Sequence, residues 1–204
     1  VSFYNETKNI AISPTPTIGG VGLITNLDIM VTNNLKEVGS YIFVVGKTLG
    51  HLYQSEFFRE VVGFKDGPPP EVNLFNEKNN GLSIQTLISK KLVNSVHDIS
   101  SGGIIVALSE MCISGKIGAK IEIPHDNISP HEYLFGEDQS RYLIEISEKN
   151  KIEASKILEK NSVYYEIIGK TQKGGFDLSK EFSIKLSDLS ELNSFWFRSY
   201  FEEN

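Results

Sequence analysis

The sequence predicts an α/β (α+β) domain, in which helices pack on a mixed sheet, from about residue 36 onward. After residue 40, short apolar runs of strand length alternate with longer stretches whose apolar residues recur at helical spacing. The chain of 204 residues is 40% hydrophobic and 23% charged, which is enough apolar material for a buried core. The first 35 residues differ, because prolines and glycines interrupt an extended apolar segment there.

The strands and helices follow from the spacing of the apolar residues. Strands are predicted over residues 41–45, 95–99, 119–123, 141–146, 164–168 and 182–186. Helices are predicted over residues 55–62, 83–93, 102–114, 150–159 and 188–201. Asn33 and Asn34 form a polar break, so we predict a domain boundary near residue 35, with 1–35 and 36–204 on its two sides.

Composition and charge disfavour several classes of protein. The net charge of −6 makes nucleic acid and anionic membrane poor partners, and no apolar run reaches the ~18 residues of a membrane span. Cys112 is the only cysteine, so an internal disulfide is impossible and a reducing cytoplasmic location is expected. Cys112 falls on the apolar stripe of the 102–114 helix, which predicts a core residue and not a nucleophile.

Because the chain starts at Val1, we expect a fragment of a longer protein.

The segment His97-Asp98-Ile99-Ser100-Ser101-Gly102-Gly103 joins a predicted strand to a predicted helix. Its hydroxyls suit a helix N-cap, and its two glycines let another backbone or a phosphate approach the helix N-terminus. A capped, tightly packed turn explains the same residues. His97 and Asp98 are neighbours on a strand, so we expect their side chains to point to opposite faces.

A second polar cluster, Phe135-Gly136-Glu137-Asp138-Gln139-Ser140-Arg141, precedes the 141–146 strand. Its carboxylates suit Mg²⁺ or the counter-ion of a nucleotide, and Gln139 and Arg141 suit substrate contacts. A solvated turn with a surface ion pair is the alternative. Gly46-Lys47-Thr48 lacks the earlier glycine of a phosphate loop, because Tyr41 stands in its place.

Five motifs, in this order, resemble the C-terminal third of the synthetase subunit of the phosphoribosylformylglycinamidine synthase family, in its short bacterial type. They are Val1-Ser2-Phe3-Tyr4-Asn5-Glu6-Thr7, Pro14-Thr15-Pro16 with the following glycines, Gly67-Pro68-Pro69-Pro70-Glu71-Val72, 97–103 and 134–141. The family is part of the aminoimidazole ribonucleotide synthetase superfamily. The resemblance implies that residues 1–35 are the last strands of a truncated N-terminal synthetase-type domain, and that 36–204 form a C-terminal synthetase-type domain.

The resemblance also implies a function for the full-length protein. It would be an ATP-dependent ligase of purine biosynthesis, which converts formylglycinamide ribonucleotide, ATP and glutamine-derived ammonia to formylglycinamidine ribonucleotide, ADP and phosphate. ATP and Mg²⁺ are the implied cofactors, and a glutaminase subunit and a small bridging subunit are the implied partners. Two alternatives stay open: another ATP-dependent synthetase of the superfamily, or a structural domain without catalysis.

The resemblance places few functional residues in this stretch. It implies no catalytic residue and no metal ligand here, so the fragment alone is expected to be inactive. Ser2 matches a substrate-contacting serine. A candidate auxiliary nucleotide or anion site comprises Asp98, Gly102, Gly103, Glu137, Asp138 and Gln139. Ser101 stands where the family usually has aspartate, which weakens any metal role for that loop.

The predicted C-terminal helix carries Phe195, Trp196, Phe197, Tyr200 and Phe201. This is more apolar surface than an isolated surface helix normally exposes. We therefore expect the helix to pack on its own sheet or on a partner, and a homodimer of the fragment is one such arrangement.

Overall fold

A seven-stranded mixed sheet forms the centre of the computed structural model, which describes residues 5–12, 18–24, 26–124, 128–179 and 182–202. An exposed hairpin precedes it, formed by β1 (Glu6–Thr7) and β2 (Ile10–Ala11). The sheet strands are β3 (Tyr41–Val45), β4 (Ser95–Asp98), β5 (Gly118–Ile121), β6 (Tyr142–Ile146), β7 (Tyr165–Gln172), β8 (Gly175–Leu178) and β9 (Phe182–Lys185). Their order is β4-β6-β3-β7-β5-β8-β9, antiparallel throughout except for the β5–β8 pair. The predicted fold class is confirmed.

Among the residues that the structure describes, five α-helices surround the sheet. They are α1 (Leu74–Ser89), α2 (Gly103–Gly115), α3 (Pro130–Phe135), α4 (Lys151–Lys160) and α5 (Leu186–Glu202). The predicted helix over 55–62 is present as a π-helical stretch, Phe57–Val62. In the described part of the chain, no helix has the length and apolar character needed to cross a membrane.

Helices cover both faces of the sheet, and β3 shows why. Ile42 and Val44 point into a core shared with α2 and α3, whereas Phe43 and Val45 point into a second core shared with α1 and α4. All four side chains are fully buried. A strand that is buried on both faces reads as a continuous apolar run, which is why its sequence predicted it without error.

The 102–114 helix was predicted correctly to within one residue as α2. Ile104, Leu108, Met111 and Cys112 are all completely buried, as their helical spacing indicated. Burial raises the pKa of the Cys112 thiol to about 12, so the neutral thiol is the stable form at ordinary pH.

The prediction for α1 was wrong at both ends, because the helix runs from Leu74 to Ser89 and not from residue 83 to residue 93. The Asn73 side chain accepts the Asn76 backbone N–H at 3.0 Å and caps the helix. Leu74 and Phe75 at its start are exposed, and the residues that follow them are polar, so the first turns lack the apolar stripe that revealed the later turns. Two short elements, α3 and β8, were missed as well.

A buried carboxylate fixes the chain where it enters the sheet. Glu145, the second-last residue of β6, is fully buried and accepts the backbone N–H groups of Lys36 (2.8 Å) and Glu37 (2.9 Å). It also accepts the Ser95 hydroxyl at 3.0 Å. The segment next to the predicted domain boundary is thereby tied to the sheet.

Candidate functional site

Three loops meet at one edge of the sheet because of the antiparallel pairing. Asp98 and Val45, the last residues of β4 and β3, both pair with Tyr142, the first residue of β6. The loops that follow β3, follow β4 and precede β6 are therefore neighbours. The two polar motifs of the sequence, 97–103 and 134–141, lie together here.

Asp138 organises the loop that follows β3. Its carboxylate accepts backbone N–H groups from Leu49 and Gly50 at 2.9 Å and from His51 at 3.2 Å. Asp138 is only 6% exposed. A carboxylate that accepts three backbone hydrogen bonds has few lone pairs left for a cation, so its first role is to position this loop.

Glu137 joins the other two loops. One of its carboxylate oxygens accepts the backbone N–H of Gly102, at the N-terminus of α2, and that of Glu56, both at 2.8 Å. A helix N-terminus attracts negative charge through its unpaired N–H groups. In this structure the protein supplies that negative charge itself.

Arg141 lies beneath both carboxylates and is 1% exposed. Its guanidinium donates to the Asp138 carbonyl at 3.1 Å, to the Thr48 hydroxyl at 3.1 Å and to the Gly136 carbonyl at 2.5 Å. Burial lowers the pKa of Arg141, and the nearby Asp138 carboxylate, 3.8 Å away, opposes that shift. Arg141 thus holds the turn together from inside and does not reach the surface where a substrate would bind.

The glycine pair at the start of α2 permits a close backbone approach. Gly103 has φ +71°, and a Cβ there would lie 2.5 Å from the Leu134 carbonyl oxygen and 2.8 Å from that of Gly136. Gly102 also has a left-handed backbone, with φ +82°. The sequence predicted that the glycines let either another backbone or a phosphate come close to the helix N-terminus. In the structure, the backbone of residues 134–136 lies there.

Two clefts open beside this framework. The larger, about 530 Å³, runs between the 47–53 loop and the start of α1, with Lys47, His51 and Asn76 in its wall. The smaller, about 370 Å³, includes Asp98. Both clefts share Gln139 and Ser140. These neutral residues form the wall between the two spaces.

His97 corrects one expectation. We expected His97 and Asp98 to point to opposite faces, but their side chains meet, with 3.3 Å between Nδ1 and Oδ1. His97 Nε2 lies 2.9 Å from a carboxylate oxygen of Glu110 on α2. The imidazole therefore bridges β4 and α2. Only the doubly protonated ring can donate to both carboxylates at once.

Other predicted positions lie apart from this framework or outside it. Ser2 is outside the described residues, as are Pro14 to Pro16. In the described ranges, no group of three or more His, Cys, Asp or Glu side chains is placed to hold a metal ion. Asn80 was not predicted as a site residue, although its side-chain amide donates to the Ser140 carbonyl at 2.9 Å. It lies in a run of polar residues, and no sequence pattern distinguishes it from its neighbours.

Comparison with known proteins agrees with this architecture. Residues 37–179 match the family model described as AIR synthase related protein, C-terminal domain.

The chain belongs to this family.

Relatives of the AIR synthase related domain are similar over nearly all of the chain. A curated protein of Pelagibacter ubique, phosphoribosylformylglycinamidine synthase subunit PurL, is 51% identical over 202 residues, which is 99% of this chain and 28% of that protein. The chain thus spans little more than a quarter of the length of such relatives.

Solved structures share the fold of the domain. Thermotoga maritima PurL complexed with FGAR superposes with a TM-score of 0.67 at 19% identity, over 80% of this chain and 30% of that one. T. maritima PurL complexed with ATP has a TM-score of 0.63 at 18% identity, over 80% and 28% of the two chains. The resemblance stated from the sequence motifs is confirmed at the level of family and fold.

Proposed function

We propose that this chain is the C-terminal part of a synthetase subunit of purine biosynthesis. The full-length protein would convert formylglycinamide ribonucleotide, ATP and glutamine-derived ammonia to formylglycinamidine ribonucleotide, ADP and phosphate. The observation that carries the proposal is the 51% identity, over 99% of the chain, to a curated subunit of phosphoribosylformylglycinamidine synthase. A solved relative complexed with FGAR and another complexed with ATP support the choice of substrates.

We propose two domains within the chain. Residues 1–35 would complete an N-terminal synthetase-type domain, and 36–204 would form the C-terminal one. Two observations support a division close to residue 35. The family match starts at residue 37, and the Glu145 carboxylate accepts the backbone N–H groups of Lys36 and Glu37, which attaches these residues to the sheet. Ser2, in the first part, would contact the substrate by hydrogen bonding and would not react with it.

The six residues of the candidate nucleotide or anion site take two kinds of role in this proposal. Glu137 and Asp138 accept backbone N–H groups, so they position the loops. Gly103 lets α2 approach α3, and Gly102 is the left-handed N-cap residue of α2. Asp98, whose side chain is 70% exposed, and the exposed Gln139 remain for direct contact with a bound nucleotide.

The donor set does not fit Mg²⁺ in this part of the protein. Mg²⁺ requires near-octahedral oxygen ligands, and the best carboxylate of the site, on Asp138, already accepts three N–H groups. The Mg²⁺ and most of the ATP contacts would therefore come from the longer protein. A glutaminase subunit and a small bridging subunit would be its partners, and its location would be the cytoplasm.

The domain in this chain would act mainly by positioning. Transfer of a phosphoryl group to an amide oxygen depends on alignment and charge neutralisation more than on covalent participation of the protein. The buried Arg141 and the Glu137 carboxylate support such a role. Arg141 ties the 136–141 turn to the loop after β3, and Glu137 ties it to the loop after β4, beside the two clefts. The chain alone is then expected to lack activity.

The test is an assay of the full-length protein and of this chain, with ammonium replacing the glutaminase. ADP release should depend on formylglycinamide ribonucleotide for the full-length protein and be absent for the chain. A full-length protein that uses thiamine monophosphate or another substrate of the superfamily instead would overturn the proposal. Ser2→Ala should raise KM for formylglycinamide ribonucleotide, and an unchanged KM would remove Ser2 from the site.

A further inference from the structure

Ser140 has a backbone conformation that its place in the fold does not by itself require. Its φ is +63°, in the left-handed region that residues other than glycine rarely adopt. Ser162, with φ +55°, follows the C-cap of α4, where this conformation is common. Ser140 instead lies two residues before β6, between Gln139 and the buried Arg141. A conformation of this kind persists where the surrounding groups impose it.

Two neighbouring elements hold the Ser140 backbone. The side-chain amide of Asn80, on α1, donates to the Ser140 carbonyl at 2.9 Å and to the Ser140 hydroxyl at 3.1 Å. Gly46, just after β3, leaves room for the same carbonyl, because a Cβ there would lie 2.4 Å from its oxygen. Asn80 is buried, so solvent competes little for its amide.

We infer that Asn80 is a positioning residue for the wall between the two clefts. By holding Ser140 in the left-handed conformation, it sets the direction in which the preceding residue, Gln139, presents its exposed side chain. Gln139 and Ser140 line both clefts. The inference rests on the proposed contact of Gln139 with a bound nucleotide, and it adds the residue that fixes Gln139 before the nucleotide arrives.

Asn79, the preceding residue of α1, makes a bond of the same kind to a different part of the fold. Its side-chain amide donates to the carbonyl of Asn161, at the end of α4, also at 2.9 Å. Asn79 lines neither of the two clefts. The two asparagines therefore anchor α1 by similar bonds, and only the bond of Asn80 leads to the wall. Asn79→Ala is the matched control for Asn80→Ala.

The test is calorimetric titration of ADP into the full-length protein and its variants, with urea unfolding of each. Asn80→Ala and Asn79→Ala should lower the midpoint of unfolding by similar amounts, since each removes a bond to a backbone carbonyl. Only Asn80→Ala should weaken ADP binding, by about fivefold or more, because binding then has to fix a backbone that the wild type already holds.

A double-mutant cycle with Gln139→Ala separates positioning from direct contact. Gln139→Ala alone should weaken ADP binding. Adding Asn80→Ala should then cause a further loss within about twofold, since Asn80 acts through Gln139. A full further loss in the double variant would mean that Asn80 touches the nucleotide itself, and it overturns the inference.

Ser140→Thr decides the matter if Asn80→Ala does not fold. Threonine keeps the hydroxyl, but its branched side chain disfavours a left-handed backbone, so ADP affinity should again fall by about fivefold or more. Ser162→Thr is its control, because Ser162 is exposed, has the same backbone conformation and lies outside both clefts. It should bind ADP like wild type.

Equal ADP affinities of Asn80→Ala and Asn79→Ala overturn the inference and leave the proposed function intact, as does unchanged binding by Ser140→Thr. If Gln139→Ala leaves ADP binding unchanged, the proposed contact of Gln139 fails, and the inference fails with it. The ammonium-dependent assay of the full-length protein reports on the proposed reaction independently of these variants.

Discussion

Asp138→Asn should destabilise the domain strongly, although it replaces one atom. The carboxylate accepts N–H groups from Leu49 and Gly50 with one oxygen and from His51 with the other. The asparagine oxygen can keep the first pair, but its NH₂ group then faces the His51 N–H at about hydrogen-bond distance, so donor opposes donor.

Two losses set the magnitude. A hydrogen bond to a charged group contributes about 1.5–3 kcal/mol, and one such bond is removed while two lose their charge. The nearly buried Arg141 also loses the neighbouring negative charge 3.8 Å away, and breaking a buried pair costs about 3–5 kcal/mol. Because these terms overlap, we expect about 3–5 kcal/mol in total. This corresponds to a Tm lower by about 10 °C in a chain of this size.

The assay is urea unfolding followed by circular dichroism, together with hydrogen exchange of the 49–51 amides. Asp98→Asn is the matched control. Its side chain is 70% exposed and loses one 3.3 Å contact with His97, so its effect should stay within about 0.5 kcal/mol. The reasoning fails if Asp138→Asn costs less than about 1 kcal/mol, or if the two substitutions cost the same.

Two further substitutions, each with a control, and one pH series test other parts of the structure. Glu145→Gln removes one of the two carboxylate oxygens that accept the backbone N–H groups of Lys36 and Glu37, so the free energy of unfolding should fall by about 2–3 kcal/mol in urea melts. Glu148→Gln is the control and should stay near wild type, because that side chain, just after β6, is 71% exposed. Gly103→Ala should lower the free energy of unfolding by more than about 3 kcal/mol, because the added Cβ would meet two carbonyl oxygens. Gly39→Ala is the control and should lower it by only about 1 kcal/mol, because Gly39 also has a positive φ (+93°) but open space around it. Equal losses of stability would contradict the close approach at Gly103. The pKa of the Cys112 thiol is about 8.5 in the unfolded chain and about 12 when the thiol is buried. The contribution of the neutral thiol to stability is therefore complete below about pH 8.5 and declines as the pH rises toward 12. Urea melts from pH 8 to 10.5 should show a steeper decline in the free energy of unfolding for wild type than for Cys112→Ala.

The sequence predicted those elements that bury an apolar stripe. The helix α2 and the strand β3 were predicted closely, because their buried positions recur at the period of the element itself. The helix α3 was missed, since six residues give too little periodicity. Its start depends on a capping box between Ser129 and Glu132, which is a local signal and not a hydrophobic one.

The position of the two polar motifs in the fold could be predicted from the sequence, but the roles of their side chains could not. The motifs around Asp98 and Glu137 both stood next to strands, which indicated loops at a sheet edge. The partners of Glu137 are backbone N–H groups 35 and 81 residues away in the chain, on Gly102 and Glu56. No local pattern encodes such distant pairs, so a carboxylate that organises loops looks the same in sequence as one that awaits a cation.

This difference in role decides what the clefts can recognise. The three ionisable groups of the 137–141 turn, on Glu137, Asp138 and Arg141, are engaged with backbone groups and with each other. The residues left at the wall between the clefts, Gln139 and Ser140, are neutral. Neutral amides and hydroxyls orient a ligand by hydrogen bonds, but they do not offset the charge of a transferring phosphoryl group. The 137–141 turn therefore contributes the shape of the clefts, whereas the positive charge beside the larger cleft comes from Lys47 in its opposite wall.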